Sequence, residues 1–240
     1  MAVQHSYDKM VTDGLVLYLN AADANSYVSG STTWKDLAGS NNGTLVNGPT
    51  YNSANYGSIG LDGTNDLVIV PTSSIFTYGT GNFCVDYWIY INSFTPNSTQ
   101  AFLDSWGPGN PGIFGFTLTS TQFTTYANNT AIIITGSLNT PTGSWTNITF
   151  TRSNGVLYVY QNSNFITSGS CTNNFTMNSF AGRNVTIGAN AGLYYGGSTG
   201  ANGQFANARI GSVKIYKNKT LSASEVLQNY NATKARFGLT

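Results

Sequence analysis

Short apolar stretches separated by Gly, Asn, Ser and Pro recur roughly every 8–15 residues along the chain. Gly14–Leu19 opens the series. Ser58–Asp62, Leu67–Val70, Phe83–Ile91, Ala101–Asp104, Phe114–Thr119, Gln122–Tyr126 and Ala131–Thr135 follow. Trp145–Arg152, Val156–Gln161, Asn164–Ser168, Val185–Gly188 and Arg209–Tyr216 complete it. Stretches of this length and spacing predict the strands of a sandwich or barrel, and no strand–helix alternation suggests a parallel sheet. Ser153-Asn154-Gly155 predicts a tight hairpin, since Asn-Gly accepts the positive φ angles of such turns. One helix is expected near the end. Ser222 and Glu225 form a capping-box pair, and Leu221 and Val226 are spaced to staple the first turn. The helix is expected to reach about Arg236, with basic residues in its last turn and Gly238 beyond it.

Composition sharpens this picture. The 240 residues are 40% hydrophobic and 13% aromatic, enough for a core, yet only 8% are charged. Asn, Thr, Ser and Gly must therefore supply the polar surface, and charge repulsion does little to keep such a chain monomeric. The net charge of +1 gives no reason to expect nucleic acid as a partner. Basic residues do gather late, at Arg209, Lys214, Lys217, Lys219, Lys234 and Arg236 against Glu225 alone. They read as a solvated terminal strand and helix, with an anion-binding footprint as the alternative. Met1–Met10 has no charged segment leading into an apolar one, so no secretory signal is expected. No apolar run approaches the ~18 residues of a membrane-spanning helix. Cys84 and Cys171 lie far apart, and their spacing leaves open whether they pair.

Three groups of residues carry a resemblance to a known family. Gly14–Leu19 is followed by Trp34–Leu45. Leu61–Val68 forms the second group. Val185–Gly188 leads to Ile210–Tyr216 and Leu221–Val226 in the third. With the Phe83–Tyr90 strand and the Trp145–Gln161 hairpin, they resemble the laminin G-like, concanavalin A-like domains over about residues 14–238. The resemblance implies an all-β fold, a two-sheet antiparallel jelly-roll sandwich with one short C-terminal helix. Residues 1–13 are then an N-terminal tail and residues 14–240 the sandwich domain. The ending Gln228–Leu239 resembles the C-termini of lectin-like structural proteins of tailed phages, particularly those infecting marine bacteria. That resemblance implies a non-enzymatic protein of the virion surface: a capsid decoration, fibre or tail appendage. It further implies a homo-oligomer, with a trimer favoured, partnered by other virion proteins and by a host glycan. The 1–13 tail, with His5 and Tyr7, would be its anchor. A stand-alone carbohydrate-binding module is the alternative, and a glucanase-type glycoside hydrolase the third reading.

Catalysis finds little support in the residues. Glycoside hydrolysis needs two carboxylates flanking the bond, and the glucanases that share this fold carry clustered acids on one strand. Here Glu225 is the sole Glu and stands at a helix start, while the Asp residues are scattered, leaving Asp86 with Asp104 as the one candidate pair. The single histidine, His5, lies in the tail, away from any Ser-His-Asp relay or zinc site. Calcium is the candidate cofactor, at Asp62, Asn65 and Asp66. The competing reading is a turn whose side chains bond their own backbone; Asp36 presents a similar choice. For a sugar, the Gly/Pro-rich loop around Trp106 and Asn110 and the Gly-rich loop around Tyr194 and Tyr195 offer aromatic faces with hydrogen-bonding neighbours. The competing reading packs these rings beneath their loops or in a subunit interface. Trp34, Trp88 and Trp145 read as core.

Overall fold

The computed structural model describes residues 9–94, 99–105, 115–120, 122–127, 130–135, 141–175, 184–190 and 204–240. The strands are β1 (Leu15–Asn20), β2 (Thr33–Trp34), β3 (Gly43–Val46), β4 (Thr50–Asn52), β5 (Ser58–Asp62), β6 (Leu67–Val70), β7 (Phe83–Ile91) and β8 (Gln100–Asp104). They continue as β9 (Gly115–Leu118), β10 (Gln122–Ala127), β11 (Thr130–Thr135), β12 (Trp145–Ser153), β13 (Val156–Gln161), β14 (Asn164–Ser170), β15 (Val185–Ile187) and β16 (Asn207–Lys217). Two antiparallel sheets result. One runs β14-β13-β12-β7-β16-β5-β4, with β1 paired to the part of β16 beyond β5; the other runs β11-β10-β9-β8-β15-β6-β3-β2. The expected jelly-roll sandwich is therefore the observed fold. The short strands β2, β3 and β4 had no counterpart in the apolar pattern. Their sequences, TW, GTLV and TYN, lack the unbroken apolar run that made the equally short β6 stand out.

The central strands of the first sheet, β12, β7 and β16, are buried on both faces, and β7 shows how. Its odd positions Phe83, Val85, Tyr87, Ile89 and Ile91 face the second sheet and join the main core. Its even positions Cys84 and Trp88 belong to clusters on the opposite face. On β16 the alternation slips by one residue at a bulge between Ile210 and Ser212, so that Ile210 and Val213 both reach the core. A Cβ on Gly211, at that bulge, would lie 2.8 Å from the Phe237 ring, so glycine lets the C-terminal segment close on the sheet.

That segment covers the outer face. Helix α1 (Ala223–Asn231) starts at Ser222, whose Oγ accepts from the Glu225 amide at 3.3 Å while Glu225 accepts from the Ser222 amide at 2.8 Å. Leu221 and Val226 meet in one apolar cluster with Cys84 and Tyr216, as the staple spacing predicts. The helix stops at Asn231, short of the expected Arg236, and a 3-10 turn follows over Lys234–Phe237. Thr233 explains the break. Its hydroxyl donates back to the Asn229 carbonyl at 2.9 Å and accepts from Trp88 Nε1 at 2.9 Å, which ties the backbone down at this point. The turn then drops Phe237 onto Trp88, ring centroids 4.1 Å apart and nearly parallel at 19°, and against Trp145 at 4.6 Å. Trp34, Trp88 and Trp145 are all buried, as expected.

Beneath this cover lies an ion pair. Lys214 Nζ donates to Asp86 Oδ1 at 2.6 Å, with both side chains essentially inaccessible. Thr149 and Asn147 donate to Asp86 Oδ2 at 2.8 and 3.2 Å. The other late cations are engaged too. Arg209 lies 3.7 Å over the Tyr90 ring, Lys217 donates to the Ser74 carbonyl, and Lys219 pairs with Glu225 at 2.6 Å. Within the C-terminal basic cluster Lys214 is thus buried in the fold, while Arg209, Lys217, Lys219, Lys234 and Arg236 are half-buried. Cys84 and Cys171 are both buried and free, which settles their pairing.

Part of the N-terminal tail belongs to the domain. The Val11 amide donates to Asn229 Oδ1 at 2.8 Å, Asn229 Nδ2 donates to the Tyr216 hydroxyl at 2.9 Å, and that hydroxyl donates to the Val11 carbonyl at 3.0 Å. This closed ring of bonds pins the chain to α1, and Gln228 holds the Lys9 carbonyl beside it.

Two outcomes follow from this packing. Lys214→Met alone leaves the Asp86 carboxylate buried without its cation and is expected to cost about 3–5 kcal/mol in urea unfolding, while the Asp86→Leu/Lys214→Met double variant recovers most of that loss. Asn229→Ala is expected to cost about 1–3 kcal/mol and to raise amide exchange at Val11, read by hydrogen–deuterium exchange.

Candidate functional site

The structure brings Asp62, Asn65 and Asp66 together in the turn between β5 and β6. Asp62 Oδ1 accepts from the amides of Thr64, Asn65 and Asp66 at 2.8, 3.2 and 3.4 Å, and Asp66 Oδ2 accepts from the Asp62 amide at 3.2 Å. Burial acts to raise the Asp62 pKa, but the three backbone donors outweigh it and hold the carboxyl below its ordinary value. The buried Asp66 is pushed up, first by desolvation and then by the Asp62 charge beside it. Calcium wants six to eight oxygens, and one oxygen of the Asp62 carboxylate, Oδ1, already accepts three amides of its own turn. Among the described residues no group of three or more acidic, His or Cys side chains is suited to a metal ion. The arrangement fits a self-capped turn better than a calcium site. Asp36 plays the same part elsewhere, accepting from the amides of Tyr18, Ala38 and Asn41 at 2.9, 2.9 and 3.1 Å.

Every side-chain carboxylate except that of Asp8 lies in the described residues. Asp86 sits on the outer face of the first sheet in its ion pair, whereas Asp104 ends β8 in the second sheet, opposite Thr186. The candidate pair is thus split between sheets. Glu225 is committed to its capping box and to Lys219.

Trp106, Asn110, Tyr194 and Tyr195 lie outside the described residues. A different aromatic cleft lies within them. It encloses about 270 Å³ between the loop Tyr27–Thr32, Leu45 of β3 and the Gly48–Tyr51 stretch leading into β4. The loop is knitted from its own polar groups. The Ser26 and Tyr27 amides donate to the Asp23 carbonyl, and Ser26 Oγ donates to the Lys35 carbonyl at 2.6 Å. Gly30, at φ +85°, takes the left-handed position of a turn closed by the Ser31 amide on the Val28 carbonyl. Tyr27, buried in the main core at 6% exposure, and the half-buried Tyr51 line the cleft, ring centroids 5.3 Å apart and tilted by 31°. The Tyr27 hydroxyl donates to the Ser31 carbonyl at 2.9 Å, and burial, then the neighbouring Tyr51, pushes its pKa up, so the phenol stays neutral. Ser29, Ser31 and Thr32 line the rim, and no charged side chain lines the cleft. Tyrosines set among Gly and Ser were the signal that could have found this site, the same feature that singled out Tyr194 and Tyr195.

Beyond β4 the backbone turns through consecutive left-handed residues, Asn55 at φ 55° and Tyr56 at φ 63°, before Gly57 at φ 132°. Bulky residues in that region cost of order 1–3 kcal/mol each. Arg236 holds the turn in place. Its Nε donates to the Asn55 carbonyl at 2.9 Å, its Nη2 to the Gly57 carbonyl and its Nη1 to Asn20 Oδ1 at 2.7 Å. Burial lowers the guanidinium pKa to about 10, still far above neutral, so the cation persists. Trp145 Nε1 adds a bond to Asn55 Oδ1 at 3.1 Å. A Cβ at position 57 would lie 2.3 Å from the Ala21 carbonyl oxygen and 2.7 Å from the Tyr51 hydroxyl, so only glycine lets the turn seat against the cleft tyrosine. The product is a Tyr56 side chain left 77% exposed.

Comparison with curated proteins yields no match to the sequence. Solved structures show the same fold at low identity. Trypanosoma rangeli sialidase in complex with the inhibitor DANA aligns at 16% identity over 92% of this chain and 33% of its own, with a TM-score of 0.62. The binding domain of Paraclostridial Mosquitocidal Protein 1 aligns at 18% over 92% of this chain and 52% of its own, with a TM-score of 0.66. The chain thus spans about a third of the sialidase and half of the toxin domain. Domain 4 of AbnA, a GH43 extracellular arabinanase from Geobacillus stearothermophilus solved in complex with arabinotriose, aligns at 17% over 90% of this chain and 98% of its own, with a TM-score of 0.66. Residues 62–227 match the family described as the concanavalin A-like lectin/glucanases superfamily, and that stretch is more than half of the sequence. With the two-sheet sandwich described above, the chain belongs to the concanavalin A-like lectin/glucanases superfamily.

Proposed function

We propose that the protein is a non-catalytic, lectin-like recognition module that binds glycans in the Tyr27/Tyr51 cleft and serves on a virion surface. The observation that carries the binding is the cleft itself, where tilted aromatic rings lie beside hydroxyl and carbonyl groups. Such a surface can take the C–H face of a sugar and its hydroxyls together. The carboxylates support the absence of catalysis. Asp62 and Asp36 cap backbone, Asp86 neutralises Lys214, Glu225 caps α1, and none lines the cleft. Sugar cleavage needs a proton donor and a second carboxylate at the bond. The arabinanase domain complexed with arabinotriose lends support from a protein of the same fold and nearly the same extent.

The place on a virion rests on the likeness of Gln228–Leu239 to lectin-like phage structural proteins and on a surface with few charges to oppose self-association. In this reading the chain is a homo-oligomer, with a trimer favoured, and residues 1–13 attach it to other virion proteins. A second reading, a stand-alone carbohydrate-binding module, is favoured by the arabinanase domain. Co-purification of the chain with intact particles, followed by mass spectrometry, separates the two: presence supports the virion role and consistent absence leaves the module.

Glycan-array screening followed by calorimetric titration is expected to find saccharide ligands. Tyr51→Ala should weaken them about tenfold, the equivalent of a ~1.4 kcal/mol contact. Polysaccharides incubated with the protein should gain no reducing ends. EDTA should leave both binding and melting temperature unchanged, because Asp62 is bonded to its own turn. Failure of the wild type to bind any saccharide would overturn the glycan reading.

A further inference from the structure

Tyr56 is an anomaly in ordinary structural terms. Its side chain is 77% exposed, so the fold gains little from burying it. Its backbone sits at φ 63°, directly after Asn55 at φ 55°, where glycine would sit without strain. The surrounding structure is nonetheless built to hold this turn, with Arg236 bonded to the carbonyls on both sides of Tyr56 and Trp145 bonded to Asn55. Strained, over-determined backbone carrying an exposed aromatic ring is the pattern expected where a ring is held out for a ligand. The turn also adjoins the cleft. Gly57 seats against the Tyr51 hydroxyl, and the Tyr51 ring is paired with Tyr27 in the cleft lining.

We infer that Tyr56 is a second sugar-binding subsite, a preorganised stacking platform, and that the ligand is a neutral oligosaccharide long enough to run from the Tyr27/Tyr51 cleft to the Tyr56 ring. This rests on the glycan reading of the cleft and names its substrate class. Neutrality follows from the lining, which holds hydroxyls, phenols and backbone but no Lys, Arg or His to meet a sugar carboxylate or sulfate. The nearby cation, Arg236, has its guanidinium directed to Asn20, Asn55 and Gly57. Length follows from the two aromatic surfaces, since a single sugar ring stacks on one of them at a time. Preorganisation here means the backbone: the turn that carries the ring is already held by Arg236, so only the side-chain torsions of Tyr56 remain to be ordered on binding.

The test compares wild type, Tyr56→Gly, Tyr56→Phe and Tyr51→Ala. The probes are mono- to pentasaccharide series of arabino-, malto-, cello- and xylo-oligosaccharides, with oligogalacturonates and sialyllactose as acidic counterparts. Affinity for at least one neutral series is expected to rise with length. Tyr56→Gly should abolish that rise, about a tenfold loss for the longest chains, while leaving the shortest ligands unaffected and raising the melting temperature through relief of strain. Tyr56→Phe should keep the length dependence. Tyr51→Ala should weaken every length. Equal binding of wild type and Tyr56→Gly at all lengths would overturn the subsite while leaving the cleft intact. Binding confined to the acidic sugars would overturn the neutral class. No binding to any probe by the wild type would remove the cleft reading and this inference with it.

Discussion

The stack of Phe237 on Trp88 is the contact on which the rest of the structure leans. A sheet in a two-layer sandwich normally buries one face and wets the other. Here β7 and β16 are buried on both faces, so the outer face must be covered by something else in the chain. The C-terminal segment does this. The 3-10 turn after α1 delivers Phe237 to Trp88 and Trp145, and the bulge at Gly211 makes room for it. Arg236 is the residue before Phe237. Once Phe237 is seated, the guanidinium falls where the Asn55–Gly57 carbonyls can use it. The geometry of the Tyr56 turn is therefore a consequence of how the far end of the chain is packed.

The same covering explains where the few charges went. A chain with 8% charged residues has little to spend on solubility, and many of its charges serve internal structure. The Asp86–Lys214 pair occupies an outer-face position that would otherwise be apolar, and its oxygens are further satisfied by Thr149 and Asn147. A buried pair of this kind adds little net stability over an apolar alternative, yet it penalises any arrangement that leaves one partner alone. It therefore disfavours a shift of β16 against β7 more than it strengthens the correct alignment. Arg152 is used similarly, with its guanidinium on the carbonyls of Gly79, Gly81 and Asn173 rather than on any acid.

Long strands were legible because their apolar residues exceed what a turn can hold. Phe83–Ile91 and Val156–Gln161 emerged with the bounds read from the sequence, and the capping box at Ser222 placed the helix start. The helix end was not legible, because its cause is tertiary: Thr233 is drawn off by Trp88, a residue 145 positions earlier. The strands β2 to β4 were missed for a related reason, since their pairing partners rather than their own pattern define them. The cleft suffered most. Tyr27 and Tyr51 are ordinary tyrosines in a chain with fifteen, and only the fold shows that two of them line one cleft. The Asp62 turn was legible as a set of residues, but not in its use. Whether an Asx cluster holds a cation or its own amides depends on side-chain directions that spacing alone does not specify.

The shape of the cleft bears on how such a protein must be deployed. On the glycan reading proposed above, a site with two tyrosines, a few hydroxyls and no charged lining has no strong electrostatic contact to offer, and the binding free energy per sugar is correspondingly small. The proposed extension to Tyr56 adds one more ring on a backbone whose conformation is already fixed by the fold. Even so, a single copy would release its ligand readily. Firm attachment to a glycan-coated surface then has to come from several copies acting together, where linked sites gain by effective concentration without any new contact. On the reading proposed above, a weak, uncharged cleft and a low-charge surface that does little to oppose self-association are in this sense one design. Each is a poor tool for an isolated monomer, and both become effective when the same domain is repeated.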